Sequence, residues 1–146
     1  MTEQNRTKIG LALASGGARG AAHAGVLKVL AQEGIPISAV SGSSIGAVVG
    51  GSYAAGLSPE RIEEEWLNTD LPKVVRSFLP TFPRAGLSSG SGLRSYLRSA
   101  LGDIRIEDLP VPFAAVACDI DTGEAVVLRE GPLVDALRAS SAIPGI

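Results

Sequence analysis

Two stretches of the chain decide its fold: KIGLALASGGARGAAHAGVLKVL at 8–30 and ISAVSGSSIGAVVGGSYAAG at 37–56. Each starts as a short apolar run, passes through a glycine-rich cluster and continues into residues typical of a helix. Gly34 and Pro36 stand between them, as expected where one helix ends and the next strand begins. Two strand–loop–helix units in direct succession, each with a short connection, predict neighbouring parallel strands with helices packed on them.

The rest of the chain continues this alternation of helices and strands. The apolar positions that indicate the first helix are Ala22, Val26, Val29 and Leu30. Ser58-Pro59-Glu60 supplies the cap, proline and acid that open a helix, and a further helix is predicted over 93–101. The runs 111–120 and 124–130 predict a strand pair, and a last helix opens at Gly131-Pro132. We therefore expect one α/β domain with a largely parallel central sheet flanked by helices.

Composition excludes several classes of protein. Hydrophobic residues make up 45% of the 146 positions and charged residues 19%, which is too apolar for a disordered chain. A formal net charge of −2 gives no electrostatic footprint for nucleic acid. The apolar run Ile9–Ala14 is shorter than the core of a signal peptide, and no run reaches the roughly 18 residues that span a bilayer. The chain is predicted to be globular and cytoplasmic.

Cys118 is the one cysteine of the chain and His23 the one histidine. A single cysteine excludes an internal disulfide, and together the two residues are too few soft ligands for a zinc site. We expect no metal and no cofactor. Within the apolar run FAAVACDI (113–120), Cys118 is predicted to be a small buried hydrophobic residue rather than a reactive thiol.

The second glycine cluster contains Gly42-Ser43-Ser44-Ile45-Gly46, which matches the pattern G-x-S-x-G. In a nucleophile elbow, glycines two residues before and two after the serine relieve crowding in a strained strand-to-helix turn. An apolar strand precedes Ser44 and a helix of small residues follows, as an elbow requires. Ser44 is therefore the candidate nucleophile. The alternative is a turn whose glycines serve packing alone.

The first glycine cluster, SGGARG at 15–20, also lies between a strand and a helix. Its backbone N–H groups at Gly16, Gly17 and Ala18 can point outward with a helix N-terminus behind them, which makes an anion-binding nest. The patterns for a dinucleotide or a Walker loop are absent, because position 15 is serine and no Gly-Lys-Ser/Thr occurs. The remaining interpretation is an oxyanion hole for acyl transfer.

His23 is badly placed to serve as a catalytic base. It precedes Ser44, whereas α/β-hydrolases have the order Ser, Asp, His, and it lies a turn into the first helix. We predict that it points away from the nest and packs or caps the helix, with a role as base as the lesser alternative. A group other than histidine must then activate Ser44.

The chain resembles the N-terminal part of a patatin-like phospholipase domain, of the bacterial type related to neuropathy target esterase. The matching stretches are LALASGGARGAAHAGVLKVL (11–30), VSGSSIGAVVGGSYAAG (40–56), FAAVACDIDTGEAVVLREG (113–131) and ALRASSAIPGI (136–146). The resemblance implies a patatin-like αβα sandwich and a Ser–Asp dyad with no catalytic histidine. It also implies that Ser44 is the nucleophile, between the elbow glycines Gly42 and Gly46. Its implied oxyanion hole is the backbone of Gly16, Gly17, Ala18 and Arg19, although Ser15 stands where the family's loop usually begins with glycine.

The aspartate of the dyad is the point at which this sequence departs from the family. By resemblance it belongs to an Asp-Gly-Gly or Asp-Gly-Ala motif beyond Ala142-Ile143-Pro144-Gly145-Ile146, and the sequence stops there. The aspartates present are Asp70, Asp103, Asp108, Asp119, Asp121 and Asp135, none of them followed by glycine. Asp119 and Asp121 are predicted to be turn residues. We expect the domain to be truncated and the 146-residue chain alone to be inactive.

The resemblance implies a serine esterase that hydrolyses acyl esters of phospholipids or lysophospholipids and contacts the membrane surface peripherally. The alternative is a non-catalytic module that binds acyl lipids or anions. The irregular segment 70–92 carries Phe78 and Phe82 among basic residues. It is predicted either to form part of a lipid entrance or to cover the core.

Overall fold

The computed structural model describes residues 8–68 and 91–142, which contain one sheet of four strands. The strands are β1 (Ile9–Leu13), β2 (Ile37–Ser43), β3 (Phe113–Cys118) and β4 (Ala125–Leu128), and they lie side by side in chain order. β1 pairs in parallel with β2 and β2 with β3, whereas β3 and β4 are antiparallel. The prediction of a largely parallel sheet is confirmed.

Five helices accompany the sheet in the described part of the chain. They are α1 (Ala21–Gln32), α2 (Ile45–Ala54), α3 (Pro59–Leu67), α4 (Ser91–Leu101) and α5 (Leu133–Ser141). Short 3₁₀ turns occupy Gly17–Gly20, directly before α1, and Ile106–Asp108. Each of the predicted helices is present, and α4 begins two residues earlier than predicted. None of the helices in these ranges is long and apolar enough to cross a membrane.

Local sequence accounts for the helix ends. The Ser58 hydroxyl accepts the Arg61 N–H at 3.2 Å and caps α3, with Pro59 in the first turn. α1 stops at Gln32 because Gly34 takes a φ of 64°, and α4 stops before Gly102, whose φ is 71°. These positive angles strain any residue with a Cβ, so the two glycines end their helices.

The core lies between one face of the sheet and helices α2 and α5. The sheet contributes Leu13, Val40, Phe113 and Ala115, and the two helices contribute Ala47, Val49, Leu133 and Leu137. α2 and α5 approach closely at Gly51, where an added Cβ would lie 2.9 Å from Leu137 Cδ2. This close packing brings the C-terminal end of α5 beside the start of α2.

The apolar spacing that indicates α1 does not mark its buried face, and the prediction that Cys118 is buried is wrong. In α1 the side chains of Val26 and Val29 are 51% and 55% exposed, and the buried residues are Ala24 and Leu27. The reason is that α1 packs against α3 and turns a different face inward. On that side Lys28 Nζ donates a 2.6 Å hydrogen bond to Glu63 Oε2 of α3. Cys118 is exposed rather than buried, because it is the last residue of β3 and lies where that strand leaves the core.

Candidate active site

Ser44 connects β2 directly to α2 and has an unusual backbone. Its φ is 53° and its ψ is −121°, and among the described residues it is the one non-glycine residue with a positive φ. Such a conformation costs of order 1–3 kcal/mol and persists only where the surroundings impose it. The predicted strained strand-to-helix turn is therefore present at Ser44.

The two glycines that flank Ser44 are required by close backbone contacts. A Cβ at Gly42 would overlap the Gly46 carbonyl and lie 2.5 Å from the Ala47 nitrogen. A Cβ at Gly46 would overlap the Leu13 carbonyl and lie 2.7 Å from the Ala14 oxygen. The turn is thus pressed against the C-terminal end of β1, which is where the first glycine cluster begins.

The loop at 15–20 lies against this turn. An added Cβ at Gly20 would be 2.7 Å from Ile45 Cγ2, so the back of the loop packs on the residue after Ser44. At its front Gly17 has a φ of 55° and starts the 3₁₀ turn that leads into α1. The N–H groups that open such a turn have no acceptor within it. The Arg19 N–H already has an acceptor within the loop, because it donates to the Gly16 carbonyl at 3.1 Å.

The hydroxyls of the site differ in their hydrogen bonding. Ser15 Oγ donates to Ser43 Oγ at 3.0 Å, which ties the start of the loop to the end of β2. Within residues 8–68 and 91–142, the hydrogen bonds at Ser44 involve its backbone alone, and no carboxylate meets its hydroxyl. The Ser15 side chain thus has a structural contact that a glycine at that position could not make.

His23 faces the loop rather than away from it, so the predicted direction is wrong. Its Nε2–H donates to the Ala14 carbonyl at 2.8 Å, immediately before the first glycine cluster. The direction follows from α1 starting directly after the loop, which places the first turn of the helix over the end of β1. The hydrogen bond to backbone is a structural contact and agrees with the predicted structural role.

Ser140, near the end of α5, reaches the same turn and was not among the residues predicted for the site. The Ser44 N–H donates to Ser140 Oγ at 2.8 Å, and the Ser140 hydroxyl donates to the Val116 carbonyl at 2.6 Å. One feature of the sequence could have indicated a role for Ser140 in the site: it lies within ALRASSAIPGI (136–146), a stretch that carries part of the family resemblance.

The profile of the patatin-like phospholipase family matches residues 11–146, which include the elbow, the loop and Ser140. The chain belongs to the patatin-like phospholipase family. An uncharacterised NTE family protein of Mycobacterium tuberculosis is 42% identical over 142 residues, covering 95% of this chain and 38% of that protein. Patatin-like phospholipase domain-containing protein 7 of Rattus norvegicus is 36% identical over 141 residues, 94% of this chain and 10% of that protein. This patatin-like chain thus spans well under half the length of these relatives.

Solved structures share the fold of this patatin-like chain. In the heterodimeric ExoU–SpcU complex of the Pseudomonas aeruginosa type III secretion system, the matched chain superposes with a TM-score of 0.69 at 20% identity. The match covers 95% of this chain and 37% of the other. A crystal structure of the type III effector ExoU gives a TM-score of 0.62 at 18% identity, covering 94% and 40%. The patatin-like α/β fold class is thereby confirmed.

The remaining predicted residues lie away from Ser44 or outside the described ranges. Asp119 is a turn residue, as predicted: its Oδ1 accepts the N–H groups of Thr122 at 3.0 Å and Asp121 at 2.9 Å, and these bonds lower its pKa. No group of three or more His, Cys, Asp or Glu side chains in the described ranges is arranged to hold a metal ion. Of the segment 70–92, only the helical Ser91 and Gly92 are described, so the two alternatives for it stay predictions.

Proposed function

We propose that this chain carries the nucleophile and the oxyanion-binding part of a serine esterase that hydrolyses acyl esters of phospholipids or lysophospholipids. The observation that supports it most is the positive φ of Ser44 at a strand-to-helix turn, in a chain of the patatin-like phospholipase family. A strained serine at such a turn presents its hydroxyl above the sheet. Strain of this kind is retained where it serves a function.

In the proposed reaction, Ser44 Oγ forms a bond to the ester carbonyl carbon while its proton passes to a carboxylate base. The family resemblance assigns that base to an aspartate beyond residue 146. The tetrahedral intermediate then expels the alcohol of the lipid, which takes up the proton. Water attacks the acyl-enzyme in the same way and releases the fatty acid.

The loop beside the turn is the proposed stabiliser of the intermediate. The backbone N–H groups of Gly16, Gly17 and Ala18 would donate to the negatively charged oxygen. The Arg19 N–H would not, because it already donates to the Gly16 carbonyl. One such donor is worth on the order of 10²- to 10³-fold in rate. No step of this mechanism calls for a metal or a cofactor.

A second candidate is a binding module without hydrolytic activity. It is favoured by the absence of any carboxylate at the Ser44 hydroxyl within residues 8–68 and 91–142. Without a base, a serine hydroxyl is a weak nucleophile. The same loop would then bind the anionic group of a lipid without cleaving its ester. For either candidate, a cytoplasmic location and peripheral contact with the membrane surface stay predictions.

A fluorophosphonate probe separates the two candidates, because it labels only an activated serine. We expect the protein expressed at its natural length to be labelled and to hydrolyse p-nitrophenyl esters. Ser44→Ala should abolish both signals, since it removes the attacking oxygen. The matched control is Ser43→Ala, which changes the neighbouring hydroxyl and should leave much of the activity. Equal hydrolysis by Ser44→Ala and the parent protein would rule out the assignment of the nucleophile.

A further inference from the structure

We propose that Ser140 is a positioning residue that holds the strained turn at Ser44 in its reactive geometry. This inference rests on the proposed function, because it concerns how the same serine is held. Ser140 lies 96 residues further along the chain, near the end of α5. It is half-buried and contacts both the turn and the central part of the sheet.

The hydrogen bonds around Ser44 show what the turn depends on. The Ser44 carbonyl accepts the N–H groups of Ala47 at 2.9 Å and Val48 at 3.1 Å, so α2 fixes that side of the residue. The N–H of Ser44 lies on the side where the chain leaves β2. Its acceptor is Ser140 Oγ at 2.8 Å. Within the described ranges, Ser140 is thus the one side chain that hydrogen-bonds the backbone of the strained residue.

The direction of both bonds at Ser140 is determined by its single proton. The Val116 carbonyl can only accept, so at 2.6 Å the Ser140 hydroxyl must donate to it. The Ser140 oxygen is then left to accept from the Ser44 N–H. These two hydrogen bonds fix the orientation of the Ser140 hydroxyl, and the fixed oxygen in turn holds the Ser44 N–H in place.

The position of Val116 explains why a side chain is needed. The register between β2 and β3 ends at the pair Ser43 and Val116. At the next residue the chain turns into α2, and the Ser44 N–H donates to Ser140 instead of to a β3 carbonyl. Ser140 therefore continues the hydrogen bonding of the sheet by one step, through its own oxygen, at the point where the backbone leaves the sheet.

Loss of this hydroxyl would leave the Ser44 N–H and the Val116 carbonyl unpaired beside the core. Part of the force that maintains the positive φ would disappear, and the turn could relax towards an ordinary conformation. A displacement of about 1 Å at a reacting atom lowers rates by up to about 10²-fold. Substrate binding would change little, because the hydrogen bonds of Ser140 in the described ranges go to the turn and to β3 and not to the loop.

The experiment compares Ser140→Thr with Ser140→Val, two side chains of nearly the same shape of which one keeps the hydroxyl. We expect Ser140→Val to lower kcat and the rate of fluorophosphonate labelling by about 10- to 10²-fold, with KM within about twofold of the parent. Ser140→Thr should recover both rates to within about threefold. Equal rates for Ser140→Val and the parent, or equal losses for Thr and Val, would overturn the proposal.

Ser141→Ala is the matched control. Ser141 adjoins Ser140 and is 8% exposed, and its hydroxyl has no partner among the described residues. Removing it should therefore change neither rate. A loss in Ser141→Ala as large as that in Ser140→Val would attribute the effect to general damage at the end of α5 and overturn the proposal.

Amide hydrogen exchange at Ser44, measured by NMR, separates this inference from the proposed function. In Ser140→Val the Ser44 N–H should exchange about tenfold faster than in the parent, while Ser140→Thr stays near the parent rate. Equal exchange in all three proteins would overturn the inference even if the esterase is active. A parent that is labelled no faster than Ser44→Ala would overturn the proposed function, and the exchange rates would still decide whether Ser140 holds the turn.

Discussion

The two glycine-rich turns of the sheet, 15–20 and 41–46, have similar composition, but their glycines are needed for different physical reasons. At the turn around Ser44, Gly42 and Gly46 are buried, and a Cβ on either would overlap backbone atoms. At the front of the loop, Gly17 has no atom within 4 Å of an added Cβ, but its φ is 55°. The turn at Ser44 needs its glycines for space, whereas the front of the loop needs Gly17 for its backbone angle.

This difference follows from what each turn contacts. The turn at Ser44 is wedged between the end of β1 and the start of α2, so a Cβ fits at neither of its flanking glycines. The loop is held at its back, where Gly20 meets Ile45, and is exposed from Ser15 to Arg19. A rigid nucleophile beside accessible N–H groups is the arrangement that acyl transfer requires. The turn at Ser44 is thus held by packing, and the front of the loop by the backbone angle of Gly17.

The largest effect is expected for Gly46→Ala. The new methyl group would overlap the Leu13 carbonyl, and a backbone clash cannot be relieved by a change of rotamer. We expect a loss of about 3 kcal/mol or more in the free energy of unfolding, at the upper end of the range for overpacking. Urea denaturation followed by circular dichroism measures it.

Gly25→Ala is the control for that variant. Gly25 lies within α1 and has nothing within 4 Å of an added Cβ, so alanine there should raise stability by about 0.5–1 kcal/mol. If Gly46→Ala were as stable as Gly25→Ala, the turn at Ser44 would not be fixed by packing.

Gly17→Ala should have an intermediate effect on stability, because the space is open and only the positive φ opposes the methyl group. We expect a loss of about 1 kcal/mol. Esterase turnover should fall more than stability, by up to about 10²-fold, because the N–H groups that receive the oxyanion would reorient. Parallel measurement of kcat and of the urea midpoint tests this. A stability loss as large as that of Gly46→Ala would erase the distinction between the two turns.

The smallest effect is expected for His23→Gln. The glutamine amide can place an N–H donor near the position of Nε2, so the 2.8 Å bond to the Ala14 carbonyl can be kept. We expect kcat per folded molecule to fall by less than about tenfold, against the 10²- to 10⁴-fold loss typical of a general base. His23→Asn has a shorter reach and should lose more stability than His23→Gln, by about 1 kcal/mol. A loss of kcat above about 10²-fold in folded His23→Gln would restore histidine as the base.

Local sequence was sufficient for the elements and for the turn at Ser44. The apolar runs before each glycine cluster predicted β1 and β2, and Ser58 and Gly34 predicted where α3 begins and where α1 ends. The spacing of Gly42, Ser44 and Gly46 predicted the strained turn that the structure contains. These features depend on residues a few positions apart, and hydrogen bonding and steric crowding at that distance are encoded in the sequence itself.

Tertiary structure decided the features that depend on distant contacts. Docking against α3 selected the face of α1 that is buried, so Val26 and Val29 are exposed despite their helical spacing. The end of β3 determined the exposure of Cys118, and the placement of α1 over the end of β1 turned His23 towards Ala14. Ser140 meets Ser44 across 96 residues only because α5 packs against α2 and β3. Such contacts are decided by the register of the sheet and the packing of helices on it, which periodicity along one segment does not contain.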